Sequence, residues 1–150
     1  IGRRDIVPDG FAEKKDLPVF KSTYLWLKKY FSGENPPVSS VPIKPLEGTP
    51  FQKIVWKILL KIPYGSTATY GEIASEVARR LGKSKMSAQA VGQAVGQNPI
   101  SIIIPCHRVI GANGNLTGYN GGIDVKIKLL EIEGIDTSRM SYPAKSKRQK

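Results

Sequence analysis

Hydrophobic positions in the first third of the chain predict one helix and a linker. Between residues 18 and 31, large apolar side chains recur at helical spacing, and Gly33 follows them: Phe20, Tyr24, Leu27 and Phe31. Residues 34–50 then hold five prolines, which favour an extended segment. We therefore expect an N-terminal region with a linker over residues 1–48, and we assign no function to residues 1–16.

Two later segments begin with the pattern of a capping box. Thr49 is followed by Gln52, and Thr69 is followed by Glu72, each pair at the spacing that satisfies the first amides of a helix. A third helical segment runs from about Met86 or Ser87 to Gln97. The second and third helices, joined by a short turn, have the spacing of a helix-turn-helix unit, although helix hairpins are common in general.

The helix at 87–97 has a clear division of faces. Val91 and Val95 mark a buried edge, and glutamines mark the exposed one: Gln89, Gln93 and Gln97. Gly92 and Gly96 lie within the helix, where each glycine costs roughly 1 kcal/mol relative to alanine. Either nucleic acid approaches this backbone closely, or the helix packs tightly against the core.

The remaining pattern predicts a short strand, a hairpin and one last helix. The apolar run at residues 100–104 has the length and β-branching of a buried strand. Asn113 and Gly114 are typical of a hairpin turn, and residues 117–122 form a glycine-rich loop. We expect the last helix to begin with Asp124 as its N-cap and to end at Gly134, and residues 138–150 to form a basic, flexible tail.

Composition narrows the class of protein. The 150 residues have a net charge of +11, and residues 142–150 hold four basic and no acidic side chains. No apolar run has the roughly 20 residues of a membrane span, so we expect a soluble, intracellular protein. The chain has one cysteine and one histidine, which excludes an intramolecular disulfide and a Cys/His zinc site. The positive charge favours a polyanionic partner, most commonly nucleic acid.

The single cysteine and the single histidine are neighbours, Cys106 and His107. A cysteine nucleophile needs its thiolate, and His107 or Arg108 could promote ionisation. On an extended backbone adjacent side chains point to opposite sides, so His107 would reach the thiol through a water. Glu133 lies unfavourably at the C-terminus of a helix, where a cationic or polarised partner such as His107 would compensate; Glu131 is an equally plausible surface neighbour. A buried cysteine beside a structural histidine is the alternative.

Five segments together resemble the O6-alkylguanine-DNA alkyltransferases. They occur in the order known from that family and span about residues 48–134: GTPFQKIVWKIL, IPYGSTATYGEIA, AVGQAVGQNP, IPCHRVIGANGNLTGYNGG and KLLEIEG. PCHR, with NP before it and GYxGG after it, is similar to the family's active-site signature. The resemblance implies that one alkyl group moves irreversibly from guanine in double-stranded DNA to a protein cysteine, with no cofactor.

The same resemblance assigns catalytic roles by motif position. Cys106 would be the alkyl acceptor, His107 the base acting through water, and Glu133 the residue that orients the histidine. Asn98 would tie the recognition helix to the active-site turn. Tyr70 would help to rotate the nucleotide out of the duplex and protonate the departing guanine.

Binding roles follow in the same way. The backbone carbonyl of Val109 would read the guanine amino group, and a loop would close over the flipped base: Tyr119, Asn120 and Gly121. The helix bearing Ala90 and Gly92 would enter the minor groove. Arg108 is also counted among the candidate DNA contacts.

Two departures from the family pattern bear on DNA binding. Many relatives carry arginine where this chain has Gln89, so the side chain that fills the space left by the base has no charge. Basic residues around the helix-helix turn could compensate through phosphate contacts: Arg79, Arg80, Lys83 and Lys85. The N-terminal region also looks too short for the full α/β domain of longer members.

These observations predict an α/β (α+β) protein whose mostly helical domain at 49–137 carries the helix-turn-helix and a strand leading to Cys106. We expect a monomer, located in the cytoplasm, or in the nucleus if the source is eukaryotic, and with no membrane, metal or cofactor. Three other functions are kept as alternatives: a non-catalytic lesion-binding protein, a cysteine redox sensor on a DNA-binding unit, and a cysteine protease. The presence of Cys106 disfavours the first.

Overall fold

The computed structural model describes residues 17–44 and 47–141, and the chain divides by its contacts into two units. The first unit is Ile1–Pro42 and the second is Ile43–Lys150. No helix in the described part of either unit is long and apolar enough to cross a membrane.

The first unit contains helix α1, Pro18–Phe31, as the apolar spacing predicts. Its buried side is not the predicted stripe, because Phe20, Tyr24 and Phe31 are each more than half exposed. Trp26 and Tyr30 are buried instead, with their rings stacked 5.4 Å apart. No strand occurs among residues 17–42.

The second unit is built on three packed helices: α2 (Pro50–Leu59), α3 (Tyr70–Arg80) and α4 (Ala88–Gly96). Both predicted capping boxes are confirmed, since Thr49 and Thr69 each exchange two hydrogen bonds with the residue three positions later. Ser87 is the N-cap of α4, and its hydroxyl accepts from the Ala90 amide at 3.3 Å. The helices predicted on either side of a short turn are therefore present.

The core between these helices fixes α4 in place. Its fully buried side chains come from all three helices and from the turn before Cys106: Val55, Leu59, Val77, Val91 and Ile104. Burial of each such side chain contributes about 1.5–3 kcal/mol. The indole Nε1 of Trp56 also donates to the Ala94 carbonyl oxygen at 2.9 Å, which ties α2 to α4.

A two-stranded parallel sheet brings distant segments to one place. Strand β1 (Ala68–Thr69) pairs with strand β2 (Val109–Ile110), and Ala68 lies opposite Val109. Strand β1 runs directly into α3, and β2 directly follows the turn that holds Cys106. The sheet therefore sets the first residue of α3, Tyr70, beside that turn.

The strand predicted at residues 100–104 is not formed. The backbone turns instead, with Ile102 at φ 74° and an isolated bridge between Ser101 and Ile104. The Asn98 side chain causes this turn, because its Oδ1 accepts from the Ile100 amide at 3.0 Å and its Nδ2 donates to the Ile104 oxygen at 2.8 Å. An apolar run alone does not reveal such a side-chain clamp.

Two other local predictions need correction. Asn113 and Gly114 form a tight turn at φ 56° and 74°, but no hairpin follows, because Asn115 forms an isolated parallel bridge with Ser141 and the Leu116 amide donates to the Ser141 carbonyl. The last helix, α5, covers Ile123–Ile132, and Gly122 rather than Asp124 is its N-cap. Residues 142–150, most of the predicted tail, lie outside the described residues.

Candidate active site

Cys106 begins a single 3₁₀ turn, Cys106–Arg108, and its side chain is almost fully buried. The sequence predicted an extended backbone here, with Cys106 and His107 on opposite sides. The backbone of these residues forms the 3₁₀ turn and is not extended. Asn98, at the end of α4, fixes the preceding segment through its two hydrogen bonds, so α4 and the cysteine turn are held by one side chain.

His107 is completely buried and bonds the side chain that ends α5. Its Nε2 lies 2.7 Å from Oε1 of Glu133, which is also buried. Of the two candidate glutamates, Glu131 is exposed and accepts from the Thr137 hydroxyl at 2.9 Å. Glu133 is therefore the histidine's partner in this structure.

Arg108 makes the second strong contact of Glu133. Its Nε donates to Oε2 at 2.8 Å and its Nη2 donates to Oε1 at 3.0 Å, while Nη1 donates to the Ile62 carbonyl at 2.7 Å. The side chain is buried and its donors are directed at Glu133 and Ile62, an arrangement that favours a structural role for Arg108 over the expected contact with DNA. This guanidinium, together with His107, compensates for an acid at the negative end of α5.

A loop between α2 and β1 completes the surroundings of Glu133. The Gly65 amide donates to Oε2 at 3.1 Å, and the hydroxyl of Tyr64 donates to the Ile132 carbonyl at 3.0 Å. The guanidinium of Arg108 lies 5.7 Å from the centre of the Tyr64 ring. Three segments far apart in the chain thus meet at one carboxylate.

Burial keeps both reacting groups uncharged at rest. Burial raises the pKa of the Cys106 thiol, and hydrogen bonds from Asn98 and Ser101 and the charge of Lys126 lower it only in part. Burial also lowers the pKa of His107, although its hydrogen bond to Glu133 and the charge of that carboxylate act in the opposite direction. A neutral imidazole can accept a proton, so His107 is suited to be the base for the thiol.

Lys126 in α5 is a buried cation beside the cysteine. Its side chain is fully buried, and Nζ donates to the Val109 carbonyl at 2.5 Å and to the Thr117 carbonyl at 3.0 Å. Burial lowers the pKa of Lys126 to about 8, against the opposing effect of charge on Cys106. Lys126 therefore joins β2 to the glycine-rich loop and supplies positive charge near the sulfur.

Residues 117–122 close the other side of the site. The hydroxyl of Tyr70 donates to the Thr117 carbonyl at 3.3 Å, and Nδ2 of Asn120 donates to the Gly96 carbonyl at the end of α4. Gly118 is required here, because its φ is 73° and a Cβ would lie 2.7 Å from the Tyr70 hydroxyl. A Cβ on Gly121 would meet the Tyr119 ring at the same distance.

The space in front of the sulfur is small. A cavity of about 10 Å³ lies among eight residues, which is room for about one water: Val95, Gly96, Asn98, Ser101, Cys106, Gly118, Tyr119 and Asn120. A purine base does not fit in this volume. A group much larger than water can reach Cys106 only if residues that line this cavity move.

The outer face of α4 matches the prediction from its sequence. Gln89, Gln93 and Gln97 are exposed, whereas Val91 and Val95 are buried. A Cβ on Gly92 would lie 3.7 Å from the Tyr70 ring, and one on Gly96 would lie 4.0 Å from Asn120. Both distances are ordinary contacts, so packing of this unit does not require glycine at either position.

Basic side chains surround the turn between α3 and α4. Arg79, Lys83 and Lys85 line a surface groove there, and Lys83 and Lys85 are exposed. Arg79 and Arg80 both pair with Glu76, at 2.8 and 2.7 Å. Arg79 is exposed, whereas Arg80 and Glu76 are partly buried. The pair of the exposed Arg79 adds little to stability, so this side chain can exchange Glu76 for another anion at small cost.

Comparison with known proteins identifies the family. Residues 50–135 match the family model described as 6-O-methylguanine DNA methyltransferase, DNA binding domain. The chain belongs to this family.

Individual relatives cover most of the chain. A methylated-DNA--protein-cysteine methyltransferase of Methanosarcina acetivorans is 50% identical over 135 residues, which are 89% of this chain and 80% of the relative. One from Mycobacterium tuberculosis is 53% identical over 119 residues, 79% of this chain and 67% of the relative. The crystal structure of Mycobacterium tuberculosis OGT in complex with DNA has a TM-score of 0.67 and 49% identity, and covers 81% of this chain and 69% of that one.

In this methyltransferase-family domain the structure adds residues that the sequence analysis missed. Lys126, Ser101 and Gly118 all face the site around Cys106. The sequence could have indicated that Lys126 is buried, because it lies four residues before the inward-facing Leu130 and three residues after Ile123, on the same face of the helix. Among the described residues no group of three His, Cys, Asp or Glu side chains could hold a metal ion.

The burial of Lys126 predicts a specific pH dependence of stability. The folded protein loses this proton near pH 8, whereas the unfolded chain keeps it to about pH 10.5. Because the unfolded state binds more protons across that window, Lys126 makes the free energy of unfolding rise with pH there. We expect urea denaturation to show the wild type gaining stability relative to Lys126→Met between these values. If the difference in the free energy of unfolding between the two proteins stayed constant with pH, the lowered pKa of a buried Lys126 would be contradicted.

Proposed function

We propose that this protein repairs alkylated DNA by moving the alkyl group of O6-alkylguanine, within a double strand, onto Sγ of Cys106. The observation that carries the proposal is the arrangement around the cysteine, in which a buried thiol is followed by a buried histidine whose Nε2 is held by Glu133 at 2.7 Å. Membership in the methyltransferase family indicates which substrate this arrangement acts on. Each molecule acts once, because the transfer converts the single cysteine of the chain into a stable thioether.

The transfer proceeds through a short sequence of proton and bond changes. The thiol proton passes to Nδ1 of His107, directly or through one water, because Nε2 is engaged with Glu133. The thiolate attacks the alkyl carbon, so that the S–C bond forms while the bond from carbon to guanine O6 breaks. The electron pair of that bond stays on guanine, the Tyr70 hydroxyl donates a proton to the departing base, and the proton held by His107 restores the phenol through solvent. No cofactor takes part in this balance.

Charges already in the site stabilise the ion pair that proton transfer creates. Glu133 faces the new imidazolium, while Asn98 and Lys126 favour the thiolate. Lys126 also fixes the Val109 carbonyl through its 2.5 Å hydrogen bond. That carbonyl then presents its second lone pair to the amino group of the flipped guanine.

Entry of the base requires the DNA to be distorted and the loop to move. Chemistry on a stacked base needs extrusion of the nucleotide, at a cost of a few kcal/mol. Residues 117–122 open and then close over the base through Tyr119, Asn120 and Gly121. The uncharged side chain of Gln89, exposed on α4, fills the space that the base leaves.

Double-stranded DNA binds along the face of α4, with Ala90 and Gly92 toward the minor groove. The phosphates contact the basic side chains around the α3–α4 turn: Arg79, Arg80, Lys83 and Lys85. The protein acts as a monomer where the genome lies, in the cytoplasm of a prokaryote or the nucleus of a eukaryote.

A redox-sensing role for Cys106 is disfavoured by the same geometry. Sensor cysteines are exposed and have a low pKa, because peroxide reacts with an accessible thiolate. Cys106 is buried, and burial raises its pKa. The structure therefore suits a thiol that is ionised only within the closed reaction complex.

Alkyl transfer is tested most simply by intact mass. After incubation with a duplex that contains O6-methylguanine, we expect the protein to gain the mass of one CH2 unit and no more, because one methyl group replaces the thiol proton. Cys106→Ala should gain nothing, because it lacks the accepting sulfur. A mass gain by Cys106→Ala, or more than one methyl transfer per wild-type molecule, would refute the assignment of Cys106 as the alkyl acceptor. A second reaction with O6-benzylguanine would measure how large a group the site accepts.

The role of Glu133 predicts a loss of rate without a loss of DNA binding. Glu133→Gln removes the charge that stabilises the imidazolium, and we expect single-turnover methyl transfer to slow by about 10²-fold. Affinity for unmodified duplex stays nearly constant, because Glu133 is buried. Glu131→Gln, two residues earlier and exposed, is the matched control and keeps the wild-type rate. Equal rates in the two variants would remove Glu133 from the mechanism.

Substitution of Gly92 distinguishes its effect on the stability of α4 from its effect on DNA binding. Gly92→Ala adds a methyl group that meets only ordinary contacts, so we expect α4 to be stabilised by up to about 1 kcal/mol. The same methyl group lies beside Tyr70 and should weaken binding to duplex DNA, measured by fluorescence anisotropy. A more stable variant with wild-type affinity would show that DNA does not approach the backbone at Gly92.

A further inference from the structure

Two arginines at the C-terminal end of α3 share one carboxylate. Glu76 lies one helical turn before Arg79 and Arg80, at spacings that place side chains next to each other on the helix surface. Nε and Nη2 of Arg79 donate to Oε2 and Oε1 of Glu76, both at 2.8 Å. Nε of Arg80 donates to Oε1 at 2.7 Å. Both oxygens of the carboxylate therefore accept from guanidinium groups.

The contacts of Arg79 use an edge of the guanidinium that fits a phosphate. An arginine binds a carboxylate or a phosphate through two parallel N–H donors of its planar group. In Arg79 one such pair of donors, Nε and Nη2, is already occupied by Glu76. A DNA phosphate must either displace the carboxylate from this edge or bind the other edge and remain close to a negative charge. In both cases Glu76 weakens the contact between the arginine and the phosphate.

Glu76 is ionised at neutral pH and accessible to an anion from solvent. The hydrogen bonds from Arg79 and Arg80 lower the pKa of Glu76 to about 2, and the charges of the two arginines act in the same direction. The side chain of Arg79 is 71% exposed and that of Glu76 is 32% exposed. An approaching phosphate therefore meets an ion pair rather than a free guanidinium.

The other basic side chains of this surface have no such partner. Lys83 and Lys85 line the groove between α3 and α4 together with Arg79, and no acidic side chain is among the described residues that line it. Neither lysine forms an ion pair with a carboxylate in the described part of the chain. Glu76 is thus placed beside the arginines alone and leaves the charge of the two lysines uncompensated.

We propose that Glu76 is an internal competitor of the DNA backbone, whose carboxylate holds Arg79 and Arg80 in the free protein and limits how tightly they bind phosphate. This inference rests on the proposed function, in which duplex DNA binds along α4 and the α3–α4 turn. Phosphate contacts are the same for every base sequence, so they supply the affinity for unmodified DNA. Glu76 therefore lowers the affinity for the unmodified DNA that the protein must leave in order to reach a lesion.

The competition affects the salt dependence of DNA binding. Each phosphate that a basic side chain neutralises releases counterions, which steepens the fall of log K with log[salt] by about 0.9. An arginine that remains beside Glu76 neutralises a phosphate only in part, because its charge is shared between two anions. Removal of the carboxylate should therefore tighten binding and also make it more sensitive to salt.

The test is the affinity of Glu76→Gln for an unmodified duplex, measured by fluorescence anisotropy at several salt concentrations. The amide has nearly the size of the carboxylate but no charge, so both arginines become available to phosphate. We expect a Kd about fivefold lower than that of the wild type at about 50 mM salt, and a slope steeper by about 0.9, so that most of the gain is lost at about 200 mM.

Glu131→Gln is the matched control for this experiment. It removes the same charge from an exposed side chain on α5 that accepts from the Thr137 hydroxyl. Its affinity and its salt slope should equal those of the wild type, because exposed charges away from the binding surface are screened by salt.

A second background separates competition from simple repulsion. When Arg79→Gln and Arg80→Gln are combined, no guanidinium remains for Glu76 to hold, so we expect Glu76→Gln to change the affinity little. An undiminished gain in this background would show that the carboxylate repels DNA directly, and would overturn the competition. Unchanged or weaker binding by Glu76→Gln alone would overturn it as well.

Methyl transfer by the wild type is measured in parallel with a duplex that contains O6-methylguanine. If the wild type accepts no methyl group, the proposed function fails whatever its affinity for DNA. If the wild type accepts one and Glu76→Gln binds no more tightly, only the competition fails.

Discussion

The buried carboxylate of Glu133 is the interaction on which the site depends. It accepts hydrogen bonds from the Gly65 amide and from two Arg108 nitrogens, and it lies 2.7 Å from Nε2 of His107. These groups belong to the loop after α2, the cysteine turn and the end of α5, which are far apart in sequence. Loss of the carboxylate would leave the Arg108 charge buried without its partner, at a cost of about 3–5 kcal/mol. Fold stability and the position of the base therefore share one group.

Burial near this carboxylate shifts the pKa values of Cys106 and His107 in opposite directions, and both shifts favour the uncharged form. The pKa of Cys106 is raised and that of His107 is lowered, so thiol and imidazole are both neutral at rest. Proton transfer between them creates a charge pair inside the protein, where the pair would be costly without compensation. Glu133 lies beside the positive member, and Lys126 and Asn98 favour the negative one. The site is thus arranged for the charges of the reaction rather than for the resting state.

Much of this domain could be predicted where a local pattern determines the structure. The Thr49 and Thr69 capping boxes and the two faces of α4 follow from spacing alone. The pairing of His107 with Glu133 was proposed from the misplaced charge on a helix end. Prediction failed where side-chain contacts decide the outcome, because the Asn98 side chain folds residues 100–104 into a turn and Glu133 holds Arg108 in the interior. Lys126 was missed because a lysine on an amphipathic helix is usually exposed.

Glu133 holds a neutral His107 ready to accept the thiol proton. The chain contains one histidine, so its ring nitrogens can be followed without ambiguity by ¹⁵N NMR across a pH titration. We expect His107 to titrate below the ordinary value of 6.5, and the neutral ring to carry its proton on Nε2, toward Glu133. A titration at or above 6.5, or a neutral ring protonated on Nδ1, would contradict it.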